Sequence, residues 1–288
     1  MLSIDQLTRI LQSLPSAEEI TLEANPGDLT FDKLRALRQL GFNRLSIGVQ
    51  SFRDAELAFL GRRHNAEQAR EAVRLAQTAG FDNISIDLMY ALPAQTLDDW
   101  RYNISEALRL NVQHISCYCL TYEPDTRLSR LVESGAVTPA DEDTENAMYD
   151  ILCETLKAAG YEHYEVSNFA RPGFRSRHNS GYWNDTPYIG LGAGAHSYDG
   201  AKRRWNTADL DAYIDSAPYE EETLTPEQKQ MERIMLGRRT CEGVELTDLL
   251  RAKAQPFFAS GQLTITNSRL VATQSGLHIL NRIIESLV

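Results

Sequence analysis

The chain has 288 residues, a formal net charge of −11 and 42% hydrophobic residues, enough to bury a core and, at the usual domain size, to make two domains. That acidic balance argues against a protein whose main partner is a phosphate backbone or an anionic membrane surface, because such partners select a basic face. No apolar run approaches the roughly 20 residues of a spanning helix, and the start Met1-Leu2-Ser3-Ile4-Asp5 has neither part of a signal peptide. The expectation is a cytoplasmic protein with no membrane insertion and no nucleic-acid partner.

The first predicted strand is Ile20–Ala24. Three later segments then share one pattern, a helix ended by Gly, an aromatic residue and a strand: Gly41-Phe42-Asn43-Arg44-Leu45-Ser46-Ile47, Gly80-Phe81-Asp82-Asn83-Ile84-Ser85-Ile86 and Gly160-Tyr161-Glu162-His163-Tyr164-Glu165-Val166. A variant, Leu110-Asn111-Val112-Gln113-His114-Ile115-Ser116, has Asn111 in the place of the glycine. Gly and Asn tolerate the left-handed conformation that ends a helix. Ala69, Ala72, Val73 and Ala76 in one preceding segment, and Met148, Ile151, Leu152, Leu156 and Ala159 in another, recur at helical spacing. Alternating strands and helices through about residue 165 predict an α/β fold with a parallel sheet, its short apolar strands buried on both faces.

In such sheets working residues stand just past the C-terminal ends of the strands. The first strand ends in Glu23-Ala24-Asn25-Pro26, the second in Gln50-Ser51-Phe52, the third in Asp87-Leu88-Met89-Tyr90, and the fourth reaches Thr121-Tyr122-Glu123-Pro124. Each end can be a simple cap, but their convergence on one rim suits a ligand with hydroxyls and an ammonium. Cys117, Cys119, Cys153 and Cys241 are too few and too scattered for a disulfide framework and have no metal-type spacing. Cys117 and Cys119 read as small core residues on one face of a strand.

Glu23-Ala24-Asn25-Pro26, Gly48-Val49-Gln50-Ser51-Phe52, Leu60-Gly61-Arg62-Arg63-His64 and Ile86-Asp87-Leu88-Met89-Tyr90-Ala91-Leu92-Pro93 resemble, in order and spacing, the successive signatures of the heme-chaperone and coproporphyrinogen-oxidase-like family of radical S-adenosylmethionine (SAM) proteins. The resemblance implies a partial (β/α) barrel in which Glu23, Gln50, Arg62 and Asp87 contact SAM. Arg62 would offer its fixed fork to a carboxylate, and Asp87 and Glu23 would accept from ribose hydroxyls or the ammonium. In the family, two strands precede the position of Glu23, one leading into a Cys-x-x-x-Cys-x-x-Cys loop for a [4Fe–4S] cluster. The expectation is therefore a barrel lacking its first two strands, and without three thiolates no cluster of that type. Radical cleavage of SAM is not expected of such a chain.

Past Tyr164 the pattern changes. Arg177-His178-Asn179-Ser180-Gly181-Tyr182-Trp183-Asn184 resembles the His-Asn-x-x-Tyr-Trp motif associated with heme in the chaperone branch of that family. His178 could ligate iron through a neutral imidazole, beside Asn179, with Tyr182 and Trp183 facing a porphyrin; a loop anchor is the plainer reading of the same residues. Ile189-Gly190-Leu191-Gly192-Ala193-Gly194-Ala195-His196-Ser197, if extended, aligns its glycines for close approach of a backbone or a flat ligand, with His196 a second axial candidate. Helices at Pro226–Leu236 and Leu246–Ala252, a hairpin of Leu263–Thr266 and Leu270–Ala272 around Asn267-Ser268, and a last helix with Leu280, Ile283, Ile284 and Leu287 on one face suggest a small α+β domain resembling a winged helix. The expected boundaries are 1–165 for the barrel, 166–217 for a heme-motif connector and 218–288 for the appendage.

The expected function is a heme chaperone on a radical SAM scaffold, a possible homodimer whose partners are heme-requiring enzymes. Its expected cofactors are heme and SAM, with the [4Fe–4S] cluster belonging to full-length members. The alternatives are oxygen-independent coproporphyrinogen oxidase and a nucleic-acid-binding winged-helix protein, the latter opposed by Glu220, Glu221 and Glu222.

Overall fold

The computed structural model describes residues 2–288 and divides into two compact units, one ending at Arg175 and the other spanning Ser176–Val288. The first unit contains helices α1 (Ile4–Gln12), α2 (Phe31–Gln39), α3 (Asp54–Phe59), α4 (Ala66–Thr78), α5 (Leu97–Arg109), α6 (Arg127–Glu133) and α7 (Glu142–Ala158). Its strands are β1 (Thr21–Ala24), β2 (Arg44–Gln50), β3 (Ile84–Tyr90), β4 (His114–Cys119), β5 (Glu162–Glu165) and β6 (Asn168–Ala170), in the order β1-β2-β3-β4-β6-β5. The α/β class is as the sequence predicts.

The helix–glycine–aromatic repeat has a common geometry. Gly41, Gly80, Gly160 and Asn111 all have positive φ. The aromatic N–H groups reach back to helix carbonyls, Phe42 to Leu37 and Phe81 to Ala76 at 3.1 Å and Tyr161 to Leu156 at 3.0 Å. These bonds satisfy carbonyls that a helix end otherwise leaves open and drop each aromatic ring into the core.

Two expectations are corrected. The sheet is mixed: a two-residue turn at Val166-Ser167 makes β5 and β6 a hairpin, and β6 runs antiparallel to both β4 and β5. The fourth strand ends at Cys119, so Thr121–Pro124 lies beyond the sheet. The β6 pairing also ties 168–170 to the first unit, beyond the expected boundary at 165.

Strands β2, β3, β4 and β6 are largely buried, but the two faces of the sheet differ. Pairings of Leu45 with Ile84, Ile47 with Ile86, Leu88 with Cys117 and Ile115 with Phe169 build an apolar face, which the buried residues of α2, α4, α5 and α7 cover. The opposite face pairs Glu23 with Ser46, Ser46 with Ser85, Ser85 with His114, Asp87 with Ser116, and Ser116 with Asn168. His114 is fully buried there, bridging Ser85 Oγ at 2.7 Å and Tyr164 OH at 2.8 Å. Burial pushes its pKa down to about 3, so it stays neutral.

The second unit holds α8 (Arg177–Trp183), β7 (His196–Tyr198), β8 (Lys202–Asn206), α9 (Leu210–Ser216), β9 (Tyr219–Thr223), α10 (Pro226–Gly237), β10 (Val244–Glu245), α11 (Asp248–Lys253), α12 (Gln255–Ala259), β11 (Leu263–Thr266), β12 (Arg269–Ala272), α13 (Gln274–His278) and α14 (Leu280–Leu287). Two three-stranded sheets form, β7-β8-β9 and β10-β12-β11. The β8–β9 ladder joins 202–206 to 219–223 across the expected boundary at 217. Positive φ at Asn267 and Ser268 makes the tight β11–β12 turn. The second appendage helix begins at Asp248, because 244–245 are taken up by a strand. The predicted apolar stripe of α14 is buried with Ile234, Val244, Leu250, Phe257, Leu263 and Leu270.

Trp100 fills the contact between α5 and α7, fully buried, with Nε1–H donating to the Met148 carbonyl at 2.9 Å. Trp100→Ala should cost about 3–5 kcal/mol, read as a lower denaturant midpoint with an unchanged slope.

Candidate functional site

The polar strand ends meet on one rim of the first unit, the candidate site. Gly48, on β2, lies under two side chains: a Cβ built there would stand 3.1 Å from both Arg62 Nη2 and Gln50 Nε2. Arg62 reaches this spot from the α3–α4 loop and donates to Asn25 Oδ1 at 2.6 Å and to the Gly48 carbonyl at 3.1 Å. Gln50 has φ +68°, where the β2–β3 register slips. Past that slip Gln50 still pairs with Leu88, as the last residue of β2. Arg62, Gln50 and Asn25 therefore converge, with the guanidinium oriented by two acceptors.

Asp87 and Glu23 make a second group. Asp87 receives hydrogen bonds from Ser116 and from Ser46, the latter at 3.4 Å. Burial pushes its carboxyl up to about 6, Glu23 adds to the rise, and the two hydroxyls and Arg44 oppose it. Glu23 itself is exposed and Ser46, its register partner, is buried. Sequence reasoning had singled out the four family positions but not Ser46, Ser116 or Arg44. Their signal was alternation, as in Leu45-Ser46-Ile47 and Ile115-Ser116-Cys117, where each polar residue falls on the face opposite the helices.

The second motif is a short helix. In α8, Ser176 caps the start by accepting the Asn179 N–H at 3.2 Å. His178 and Tyr182 are both exposed, one turn apart, with ring centroids 4.8 Å apart and an edge-on angle of 83°. Tyr182 meets Tyr188 in the same way, at 4.8 Å and 82°. Trp183 does not join them. It lines a cavity of about 480 Å³ with Arg233, Ile234, Val244, Leu250 and Arg269.

The glycine segment is not extended. Gly192 and Gly194 have positive φ, and a Cβ on Gly190 would lie 2.0 Å from the His196 carbonyl oxygen. Close backbone packing and turns thus account for the three glycines, rather than a flat face. His196 is exposed and its ring stacks on Trp205 across the β7–β8 pair at 6.2 Å.

The described residues contain no group of three or more His, Cys, Asp or Glu side chains placed to hold a metal ion, and no helix long and apolar enough to cross a membrane. Among the described residues the cysteines form no disulfide. Burial pushes Cys119 up to about 11 and Cys153 up to about 12, and raises Cys117 as well. Among the described residues they are not gathered into a group of three, so their placement does not fit a [4Fe–4S] cluster.

Comparison with known proteins places the chain. The Radical SAM superfamily model matches residues 2–107. The heme chaperone HemW of Bacillus subtilis is 39% identical over 247 residues, 84% of this chain and 65% of that protein. The heme chaperone HemW of Escherichia coli is 35% identical over 291 residues, 94% of this chain and 75% of that protein. The chain belongs to the HemW family. It spans 65% of the length of the Bacillus relative. A bovine relative of this HemW-family chain, the mitochondrial radical S-adenosyl methionine domain-containing protein 1, is 38% identical over 82% of the chain and 52% of its own length. In fold, the chain is similar to coproporphyrinogen III oxidase (HemN) from Escherichia coli, a radical SAM enzyme, with TM-score 0.81 at 19% identity over 99% of this chain and 74% of that one.

The Asp87 environment has a pH signature. Because its folded carboxyl titrates at about 6, above an ordinary aspartate, the folded state holds the extra proton, and stability falls as pH rises through that window. Asp87→Asn should gain about 2–3 kcal/mol at pH 8, where the wild-type carboxylate is ionised, and nothing at pH 4. Denaturant melts of both proteins at the two pH values check this.

Proposed function

We propose that this chain is a heme chaperone on a radical SAM scaffold, binding heme through α8 and SAM at the strand-end rim. Its partners would be proteins that require heme. The observation that carries the heme reading is the exposed His178–Tyr182 pair, an imidazole with an aromatic edge against it on one helix face, in a chain whose relatives bear the name heme chaperone.

These residues fit the group. A neutral imidazole is a common iron ligand, and bound heme would supply the metal centre that the acceptor needs. His178 would hold the iron, and Tyr182, itself positioned by Tyr188, would flank the macrocycle. Asn179 takes part in the cap that fixes the start of the helix. Trp183, the last residue of α8, lines the neighbouring cavity. On the first unit, Arg62, Gln50, Glu23 and Asp87 fit the carboxylate, amine and hydroxyls of SAM. No step of this reading passes through an iron–sulfur cluster, since the described cysteines do not form its ligand set.

Titration with hemin followed at the Soret band tests the proposal. Saturable binding is expected, with His178→Ala weakening it about tenfold or more and shifting the band, as loss of an axial ligand does. No saturation, or an unchanged spectrum in His178→Ala, overturns it. For SAM, Gly48→Ala is expected to push Arg62 and Gln50 apart by a few tenths of an ångström and to weaken binding about tenfold in calorimetry, with little change in melting temperature.

A further inference from the structure

Glu56, on α3, is 8% exposed, and one of its oxygens, Oε2, collects three hydrogen bonds. Ser51 Oγ donates at 2.6 Å, Asn103 Nδ2 at 2.8 Å and Gln95 Nε2 at 3.1 Å. The donors come from three segments. Ser51 follows Gln50 at the end of β2, Gln95 lies in the turn after β3, and Asn103 is in α5. Ser51 and Asn103 are both fully buried.

Each donor also grips backbone. Asn103 Oδ1 accepts the Phe52 N–H at 2.8 Å, and Ser51 Oγ accepts the Arg53 N–H at 2.9 Å. Gln95 closes its own turn, its N–H donating to the Leu92 carbonyl at 3.0 Å. At the mouth of this network Arg53 lies 3.3 Å from Glu56 Oε1 and 2.9 Å from Asp99. One buried carboxylate thus joins the turns that follow two adjacent strands.

Left-handed residues that are not glycine flank both turns: Gln50, the last residue of β2, at φ +68°, and Ala91 and Ala94 after β3 at +59° and +61°. Such conformations persist only where the surroundings over-determine them. A buried carboxylate is a poor device for stability alone, since apolar residues of similar volume usually serve as well. It is a good device for fixing one arrangement of several donors.

We propose that Glu56 is a positioning residue for the ligand of the strand-end rim: through Ser51 and Asn103 it holds Gln50 in the turn that sets its amide beside Arg62, and through Gln95 it locks the β3 rim to the β2 rim. The inference rests on the SAM reading of that rim. Glu56 itself touches no ligand atom in this scheme.

The test is SAM calorimetry on the full chain and its variants, with melting curves and amide hydrogen exchange at Phe52. Glu56→Gln keeps an oxygen for the three donors and is expected to bind within about threefold of wild type, whereas Glu56→Ala binds about tenfold more weakly or worse. Gln95→Ala and Ser51→Ala fall between them. Exchange at Phe52 accelerates in step with the lost affinity. A Glu56→Ala protein that melts lower yet binds SAM as tightly as wild type assigns Glu56 a purely structural role and overturns the proposal. Should Glu56→Ala fail to fold, unchanged affinity in both Gln95→Ala and Ser51→Ala overturns it equally. Wild-type chain that shows no saturable SAM binding removes the rim reading itself, and the inference goes with it.

Discussion

The arrangement of the first unit depends on the two-residue period of its strands. With side chains alternating between faces, each strand must satisfy two different neighbours at once. Helices demand an apolar face, and Leu45, Ile47, Ile86, Leu88 and Ile115 supply it with almost no exposed surface. The face left over then takes whatever chemistry the protein needs. Ser46, Ser85, Asp87, His114 and Ser116 occupy it. A one-residue slip in any strand would exchange the two sets, so packing on the outside fixes the register of the polar groups within.

That division explains what could be read in advance. Helix ends were legible because their determinants are local: a residue that tolerates positive φ, then a ring that follows it into the core. Gly41, Gly80 and Gly160 behave as that rule requires, and Asn111 keeps the positive φ with Val112 in place of the ring. The stripe of α14 was legible for the same reason, since helical spacing alone defines it. β6 was not. Three residues, Asn168-Phe169-Ala170, give no period to detect, and only pairing with β4 makes them a strand. Likewise 166–217 looked like a connector because its strands are short, while their ladders tie residues far apart in the chain.

The candidate site was legible in its outline and not in its supports. Glu23, Gln50, Arg62 and Asp87 stood out as strand-end or loop residues with useful chemistry. Nothing in the sequence pairs Arg62 with Asn25, or Ser46 with Asp87, because those contacts span 37 and 41 residues. Glu56 is hidden more deeply still. It sits in the charged first turn of a six-residue helix, where a solvated carboxylate is the ordinary outcome. Only the folded chain shows Ser51, Gln95 and Asn103 closing around it. The glycine run near His196 illustrates the opposite error of scale: spacing suggested a shared face, whereas backbone contact at Gly190 and turns at Gly192 and Gly194 account for it.

Asp87 gives the rim a currency other than shape. Its carboxyl is surrounded by neutral hydroxyls, near Glu23, and keeps its proton up to about pH 6. A ligand bringing an ammonium or sulfonium charge to that spot favours the ionised form, so binding below that pH displaces a proton. For a ligand of that kind, occupancy of the rim would be an exchange equilibrium in which a cation enters as Asp87 gives up its proton. The heat measured for such an exchange includes the ionisation heat of whichever buffer receives the proton, which turns a buried aspartate into a counter for ligand arrival.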